Sequence, residues 1–257
     1  MEQNIIVTGG SSGIGRSTVK KFLEQGDRVV FTSRSSTLAT EFLKEFKSYA
    51  ESENLHFFRC DSSKADDVKA LTEFAKEKIG GCDVLVNCAG IFLGGEVHET
   101  SEEDFDLQMG VNVKGIFLTC KYFLPQMLAR GKGNIVSVSS ICGKRGGYNC
   151  AIYSTSKAAI NNLTRSMALD YMHKGVRVNA VCPSATKTKM FMTGTTQEVL
   201  NMFNNNNPAG RIGTPDEVAD LILYLASERS TYINGACISI DGGLEAWTGE
   251  GRQSKME

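Results

Sequence analysis

Tyr153 and Lys157 lie four residues apart, in the segment Tyr153-Ser154-Thr155-Ser156-Lys157. On a helix, this spacing puts a phenol and an ammonium group on one face, one turn apart. A neighbouring positive charge favours the phenolate, so the pair predicts a tyrosine pKa below its ordinary value of about 10. Such a tyrosine can act as an acid and as a base. The same spacing also occurs on solvated helices, so the elements around it must separate the two interpretations.

A glycine-rich turn follows the first predicted strand, the apolar segment 4–8, and leads into an amphipathic helix that stops near Gly26. Glycines let the backbone approach a pyrophosphate, and the helix N-terminus offers free N–H groups, so this context is typical of a dinucleotide site. An ordinary strand-to-helix turn is the alternative. The candidate cofactor residues of this turn are Gly9, Ser11, Ser12, Gly13, Ile14 and Gly15.

The second predicted strand, Arg28–Thr32, ends at Ser33 and Arg34. In a doubly wound fold this strand end meets the adenosine ribose, where a carboxylate would accept bonds from the 2′-hydroxyl group. Here a guanidinium stands instead, and its fork of donors suits a 2′-phosphate. Ser33 and Arg34 therefore favour NADP(H) over NAD(H), with a solvated loop arginine as the alternative.

The first half of the chain alternates short apolar strands with helices, which predicts a parallel sheet covered on both faces. Predicted helices cover about 36–52 and 65–79, and predicted strands cover about 55–60 and 83–87. The fold class is therefore α/β: a single-domain, Rossmann-type, doubly wound sheet of about seven strands. Ligands bind such sheets at the carboxyl ends of the strands. The candidates at these ends are Asp61, Ser62, Asn87, Ala89 and Gly90, with Asp61 also a candidate helix cap.

Asn112 lies inside a helical pattern over about 101–129, which we expect to be irregular near Gly110 or Gly115. The sequence before it, Thr100 to Glu103, fits a capping box. The next strand, 134–138, ends at Ser139 and Ser140, which places Ser140 at the ligand edge of the sheet. A helix over about 152–173 then carries the tyrosine and the lysine.

The segment 184–210 follows a sixth strand and Pro183, and its mixed composition predicts an irregular lid over the site. A helix starts at Thr214-Pro215, because proline suits the first helical position. A last strand covers 236–240, and the polar tail 248–257 is predicted to be loose.

Composition excludes several classes of protein. The formal net charge of −1 points to neither nucleic acid nor an anionic membrane as a partner. No apolar stretch approaches the length of a membrane span, and no signal peptide is recognisable. The eight cysteines are scattered and form no Cys-x-x-Cys pair, so we expect reduced thiols, no metal site and a cytoplasmic location.

Taken together, these residues resemble the compact single-domain branch of the short-chain dehydrogenase/reductase family over about residues 3–245. The matching segments occur in family order and at family-like spacing. They are Thr8-Gly9-x-x-x-Gly13-x-Gly15, Asn87-x-Ala89-Gly90, Asn112, Ser140, Tyr153-x-x-x-Lys157, Pro183 to Thr188 and Asp241-Gly242-Gly243.

The resemblance implies a role for each member of the catalytic set. Tyr153 would be the general acid/base, and Lys157 would lower its pKa and hold the nicotinamide ribose. Ser140 would bind the reacting oxygen, and Asn112 would position a water that links Lys157 to solvent. Pro183, Thr186 and Thr188 would lie against the nicotinamide. The sequence departs from the family pattern at Cys88, Ser184 and Thr186, which leaves the shape of the lid open.

The resemblance implies an oxidoreductase that interconverts a secondary alcohol and a ketone. The candidate substrate contacts are Ser140, Cys142, Cys150 and Tyr153, with Ile91–Leu93, Tyr148 and the lid around them. A reductase of carrier-bound 3-oxoacyl thioesters is one alternative, for which Lys144, Arg145, Lys187 and Lys189 could form a basic docking patch. A non-catalytic NADP-binding sensor is another. The resemblance also implies a homo-oligomer, either a dimer or a tetramer.

Overall fold

The fold is a seven-stranded parallel sheet with the strand order β3-β2-β1-β4-β5-β6-β7. It is seen in a computed structural model that describes residues 2–250. The order reverses between β1 and β4, which is where doubly wound sheets open a crevice for ligands. The strands are β1 Asn4–Thr8, β2 Arg28–Ser33, β3 Leu55–Arg59, β4 Val84–Asn87, β5 Gly133–Val138, β6 Val176–Pro183 and β7 Cys237–Ile240.

Helices cover both faces of this sheet, as predicted. The α-helices are α1 Gly13–Glu24, α2 Ser36–Glu45, α3 Lys47–Glu51, α4 Ala65–Ile79, α5 Glu102–Met109, α6 Gly115–Arg130, α7 Ala151–Tyr171, α8 Lys189–Met192, α9 Gln197–Asn205 and α10 Pro215–Ala226. Three 3-10 turns cover Ile141–Gly143, Met172–Lys174 and Glu228–Ser230.

Two apolar layers hold the sheet because its strands are apolar on both faces. Ile6, Leu85 and Ile135 point to one layer, where α4, α6 and α7 pack. Their strand neighbours, such as Val7 and Val86, point to the opposite layer with α1, α2 and α10. This double burial is typical of parallel sheets, and it fixes the strand ends at which the candidate site lies.

The helix around Asn112 is irregular, as the two glycines predicted. A single π-helical stretch, Gly110–Lys114, connects α5 to α6. π-Helical turns change the direction in which side chains leave a helix and often occur at functional sites. This turn sets the position of Asn112, which is completely buried.

Several local predictions were wrong. The helix predicted over 36–52 breaks at Phe46, and the predicted irregular lid contains α8 and α9. The cap of α5 is Ser101, whose hydroxyl accepts from the Asp104 N–H group; Thr100 instead donates to the Glu96 carbonyl. A polar run with several hydroxyl groups offers alternative caps of similar energy, so sequence alone leaves the register of the cap open by one residue.

Asp61 is also not a helix cap. Its carboxylate accepts from the N–H and hydroxyl groups of Ser63, and α4 begins only after Lys64. The predicted helix start at Thr214, with Pro215 at the first helical position, is confirmed, and a capping box between Thr214 and Glu217 adds to it.

Within residues 2–250, no helix is both long enough and apolar enough to cross a membrane. Of the tail predicted to be loose, residues 251–257 lie outside the described residues.

Candidate active site

Ser140 and Tyr153 meet at the carboxyl end of β5. Ser140 lies two residues after the end of the strand and is buried, and its hydroxyl contacts the tyrosine phenol in a hydrogen bond. The serine Oγ also accepts from the Cys142 N–H group at 3.1 Å. A serine and a phenol that share a hydrogen bond can together hold one oxygen atom of a bound molecule.

Lys157 lies one turn further along α7 and is buried. Its Nζ donates to the Val138 carbonyl at 2.9 Å and lies 5.5 Å from the centre of the Tyr153 ring. The backbone carbonyl of the lysine accepts from the Ser139 hydroxyl, which ties α7 to the end of β5. The predicted placement of the phenol and the ammonium on one helix face is therefore confirmed.

The predicted lowering of the Tyr153 pKa by Lys157 is wrong for the protein alone. Burial raises the pKa of Tyr153 to about 12, against which only the hydrogen bond with Ser140 acts. Burial also lowers the pKa of Lys157 to about 8. The reason is geometric: the ammonium points to the Val138 carbonyl and the face of the ring, and both side chains have lost their water.

Asn112 and Gln108 hold the segment after β4 by their side-chain amides. The Asn112 Oδ1 accepts from the Ile91 N–H group at 2.8 Å, and its Nδ2 donates to the Ile91 carbonyl at 3.0 Å. Gln108 makes the same pair of bonds with Leu93. Asn112 also donates to the Ser156 hydroxyl at 3.1 Å, so it is bonded to the helix that carries Lys157.

Sequence reasoning missed Gln108 and Ser156 as supports of this region. Gln108 is one helical turn before Asn112, and both amides are buried. Ser156 lies between the tyrosine and the lysine, and it donates to the Tyr153 carbonyl at 2.7 Å. The signal was the pairing of two amide side chains four residues apart in the otherwise apolar stretch 107–113, which predicts buried hydrogen bonds.

The glycine-rich turn forms a cradle with little room for side chains. Gly9 and Gly13 have positive φ angles of 68° and 53°, which L-residues rarely adopt. A Cβ atom on Gly9 would lie 2.9 Å from the Cα atom of Ala89, and one on Gly15 would overlap the Gly9 carbonyl. The turn, the start of α1 and the end of β4 therefore meet at the switch point, which fits a pyrophosphate.

The residues that follow β4 contribute backbone rather than side chains. Asn87 is buried, and its amide is used inside the fold: it accepts from the Thr119 hydroxyl at 2.8 Å and contacts Ser137. The Ala89 N–H group donates to the Thr8 hydroxyl. A Cβ atom on Gly90 would come within 3.6 Å of both the Asn112 Oδ1 and the Lys157 Nζ. Gly90 therefore packs closely against Asn112 and adjoins the lysine.

Ser33 and Arg34 lie where the sequence placed them, at the end of β2. The Ser33 hydroxyl accepts from Ser11 of the glycine-rich turn at 2.8 Å and from the Ser35 N–H group at 3.1 Å. Arg34 is exposed and makes no ion pair within residues 2–250. A cation therefore lies directly after the end of β2.

Asp61 and Ser62 lie near that cation, after β3. Burial raises the pKa of Asp61, but the two hydrogen bonds from Ser63 and the charges of Arg34 and Lys64 outweigh it, so the pKa is lowered overall. Asp61 is therefore an anion at neutral pH. Ser62 is buried and packs against Gly115. A Cβ atom added to Gly115 would lie 3.3 Å from the Cβ atom of Ser62.

The segment after β6 closes over the glycine-rich turn. Thr188 caps α8 by accepting from the Phe191 N–H group, and its methyl carbon would lie 3.1 Å from a Cβ atom on Gly13. Thr186 is buried and donates to the Ser184 carbonyl, while Pro183 accepts from the Ser140 hydroxyl at 3.4 Å. The structure thus brings Pro183, Thr186 and Thr188 to the same edge as Ser140.

The proposed substrate side contains Phe92, Cys142 and Cys150. The Phe92 ring stands edge-on to Tyr153, with centroids 5.1 Å apart, and about half of its surface is exposed. Cys142 is half-buried and Cys150 is buried. All eight cysteines are free thiols.

The geometry can now be compared with known proteins. The model of a family described as enoyl-(acyl carrier protein) reductase matches residues 9–245. Among curated relatives, 2-(R)-hydroxypropyl-CoM dehydrogenase of Xanthobacter autotrophicus is 39% identical over 251 residues, which cover 96% of this chain and all of the relative. Dehydrogenase/reductase SDR family member 6 of Aquarana catesbeiana is 36% identical over 245 residues, which cover 93% of this chain and 96% of the relative.

Solved structures agree with these relatives. ElxO with NADP bound superimposes with a TM-score of 0.90 at 33% identity, covering 96% of this chain and 100% of that chain. A tyrosine-to-phenylalanine variant of ElxO, solved with NADPH bound, matches with the same TM-score.

Proposed function

Because the chain belongs to the short-chain dehydrogenase/reductase family, we propose that it interconverts a secondary alcohol and a ketone with NADP(H), using Tyr153 as the general acid/base. The observation that carries the proposal is the contact between Ser140 and the Tyr153 phenol at the ligand edge of the sheet, with Lys157 one turn away. A family member that only binds nucleotide would not need this set, which makes the sensor alternative the weaker one.

The cofactor's share of the chemistry is the transfer of a hydride to or from the carbinol carbon. Gly9–Gly15 would hold its pyrophosphate, Asn87–Gly90 its ribose region, and Thr186 and Thr188 its carboxamide. Lys157 would bind the ribose hydroxyl groups next to Gly90. The fit is supported by the cradle of the turn, in which Cβ atoms on Gly9 and Gly15 would meet backbone.

The chain's own task is to move one proton. Ser140 would donate to the substrate oxygen, and Tyr153 would give its phenolic proton to that oxygen as the ketone is reduced. At neutral pH the phenol is protonated, because its pKa lies at about 12 in the protein alone. The buried ammonium of Lys157 would favour the phenolate formed, and Asn112 would support a water path from the lysine to solvent.

The substrate is proposed to be a moderately apolar ketone or alcohol. Phe92 presents an exposed ring beside Tyr153, and the α8–α9 lid adds an aromatic contact between Phe191 and Phe203 at 5.0 Å. A relative that acts on hydroxypropyl-CoM supports a secondary alcohol on a small carbon chain.

A carrier-bound thioester is the second candidate, because the matching family model is described as an acyl-carrier-protein reductase. The predicted basic patch is smaller than expected: Lys144 is bonded to Ser239 and Glu245 instead of being free for a partner. Arg145, Lys187 and Lys189 remain exposed.

The test is a panel of ketones and 3-oxoacyl groups, each free and carrier-bound, assayed by NADPH oxidation. We expect turnover of at least one free secondary-alcohol or ketone pair. Turnover only on carrier-bound substrates, lowered at least tenfold by the double change Lys187→Glu and Lys189→Glu, would favour the second candidate. No oxidation across the panel would overturn the proposed enzymatic function.

Cofactor preference gives a separate prediction at Arg34. We expect Arg34→Ala to weaken NADPH binding about tenfold or more and to leave NADH binding almost unchanged, because only NADPH carries the 2′-phosphate that a guanidinium can bind in a charge-assisted pair. Fluorescence titration with both cofactors measures this. Arg229→Ala, an exposed arginine near the Lys132–Glu228 ion pair, is the matched control. Equal weakening of both cofactors would contradict the assignment.

A homo-oligomer is the remaining part of the proposal. Phe105, Phe117 and Leu169 are exposed on α5, α6 and α7. Phe117 also lines a surface cavity of about 660 Å³, together with Met109 and Leu163. Exposed apolar side chains on neighbouring helices favour a contact with a second copy. Light scattering tests this by the molar mass in solution.

A further inference from the structure

Two thiols meet beside the proposed catalytic tyrosine. Cys142 lies in the 3-10 turn after Ser140, and Cys150 directly precedes α7. The position that a side-chain carbon on Gly147 would occupy is 2.6 Å from the Cys150 Sγ and 3.5 Å from the Cys142 Sγ. The Cys150 thiol is also near enough to help raise the pKa of the Cys142 thiol. The loop between them therefore folds back so that the sulfurs become neighbours.

The other cysteines are in different surroundings. Cys60, Cys82, Cys120 and Cys182 are buried, and the Cys237 thiol donates to the Asn161 carbonyl. Within residues 2–250, Cys142 and Cys150 are the two cysteines whose thiols help raise the pKa of Tyr153. The pair is thus a distinct feature of the substrate side and not a general result of eight cysteines in one chain.

The two thiols differ in access. Cys142 is half-buried, whereas Cys150 is 6% exposed and is covered by Gly147. The loop 145–149 that covers them is exposed throughout, and Tyr148 at its centre is fully exposed. A small reagent would therefore reach Cys142 first, with Cys150 placed behind it as the second thiol.

We propose that Cys142 and Cys150 form a dithiol modification site, which a low-molecular-weight disulfide oxidises to an intramolecular disulfide that stops turnover. The Cys142 thiolate attacks one sulfur of the reagent, forms a mixed disulfide and releases one thiol. The Cys150 thiolate then attacks the Cys142 sulfur, and the second thiol leaves. Two electrons pass from the two cysteines to the reagent, and two protons end on the released thiols.

The effect on turnover follows from the neighbours of the two cysteines and rests on the proposed function. The Cys142 N–H group donates to the Ser140 Oγ, and the Cys150 carbonyl accepts from the Ser154 N–H group in the first turn of α7. Joining the two sulfurs ties the segment of Ser140 to the start of the helix that carries Tyr153. A shift of the Ser140–Tyr153 contact by a fraction of an ångström is costly for proton transfer.

The bond itself is tested without reference to activity. Full-length protein is incubated with glutathione disulfide and digested with trypsin without reduction. Cleavage at Lys144 and Arg145 separates the cysteines, so a disulfide joins peptides 133–144 and 146–157, each of which contains one cysteine. We expect this linked pair as the main product, formed faster at pH 9 than at pH 7, because burial raises the pKa of the Cys142 thiol. Only glutathionylated Cys142, or linkage through another cysteine, would overturn the dithiol site.

Turnover is compared before and after oxidation within each variant. We expect at least a tenfold loss in the unmodified protein that dithiothreitol restores, and less than a twofold loss in Cys142→Ser and in Cys150→Ser, each relative to its own reduced form. Cys237→Ser, which changes a partly exposed thiol away from the pair, should respond like the unmodified protein. If the linked peptides form but turnover is unchanged, the proposal that the disulfide stops turnover is wrong. These outcomes differ from a failure of the proposed function. If the protein is not an oxidoreductase, the reduced protein shows no turnover, but the linked peptides still form.

Discussion

Tyr153→Phe is expected to lower turnover about a thousandfold while NADPH affinity stays within about twofold, because general acid/base catalysis contributes on the order of 10²–10⁴ in rate. Phenylalanine keeps the ring, and with it the edge-on contact with Phe92 and the position above Lys157. It removes only the phenolic oxygen and the hydrogen bond with Ser140. The loss should therefore appear in kcat under saturating cofactor.

Stopped-flow or steady-state NADPH oxidation measures kcat, and fluorescence titration measures cofactor affinity. Tyr232→Phe is the matched control, since that tyrosine is fully exposed and its neighbour Ile233 accepts from Arg177 at the amino end of β6, away from the ligand edge. A variant that retained more than a tenth of the original kcat would show that Tyr153 is not the proton donor. A parallel loss of cofactor affinity would instead indicate a structural role.

The sheet and its ligand edge could be predicted because the evidence for them is local. Each strand is a short apolar run, and a parallel sheet brings every carboxyl end to one edge. Ser140, Arg34 and the glycine-rich turn could therefore be placed together before any coordinates. The positive φ angles of Gly9 and Gly13 agree with the glycines that the turn predicted.

What could not be predicted depends on contacts between distant segments. The amide bonds from Asn112 to Ile91 and from Gln108 to Leu93 need the π-helical turn, whose register the sequence does not specify. The meeting of Cys142 and Cys150 needs the path of an exposed loop. The direction of the Tyr153 pKa shift depends on burial, which raises the pKa, and the nearby charge of Lys157 does not act against it.

Lys157→Met is expected to lower turnover at least a hundredfold and, unlike Tyr153→Phe, to weaken cofactor binding. Methionine has nearly the same length but lacks the ammonium proposed to bind the ribose and to favour the phenolate. In the reducing direction, a limb of the pH profile near 8, where Lys157 loses its charge, should also disappear. Assays over pH 6–10 measure this, with the exposed Lys76→Met as the matched control.

The same variant should be more stable than the unmodified protein at neutral pH, because burial disfavours the ammonium. The pKa of Lys157 falls from 10.5 to about 8 on folding, so between these values the unfolded chain binds more protons and stability rises with pH. Below pH 8 the buried charge costs about 3 kcal/mol, from which about 1 kcal/mol for the lost bond to the Val138 carbonyl must be subtracted.

Urea unfolding of both proteins without added cofactor, at pH 7 and at pH 10, tests this balance. We expect Lys157→Met to gain about 2 kcal/mol in the free energy of unfolding at pH 7 and to lose most of that gain at pH 10. If the variant is less stable than the unmodified protein at both pH values, the buried ammonium of Lys157 does not destabilise the fold. If Lys157→Met gains stability at neutral pH and loses turnover, the buried charge serves catalysis and lowers the stability of the fold.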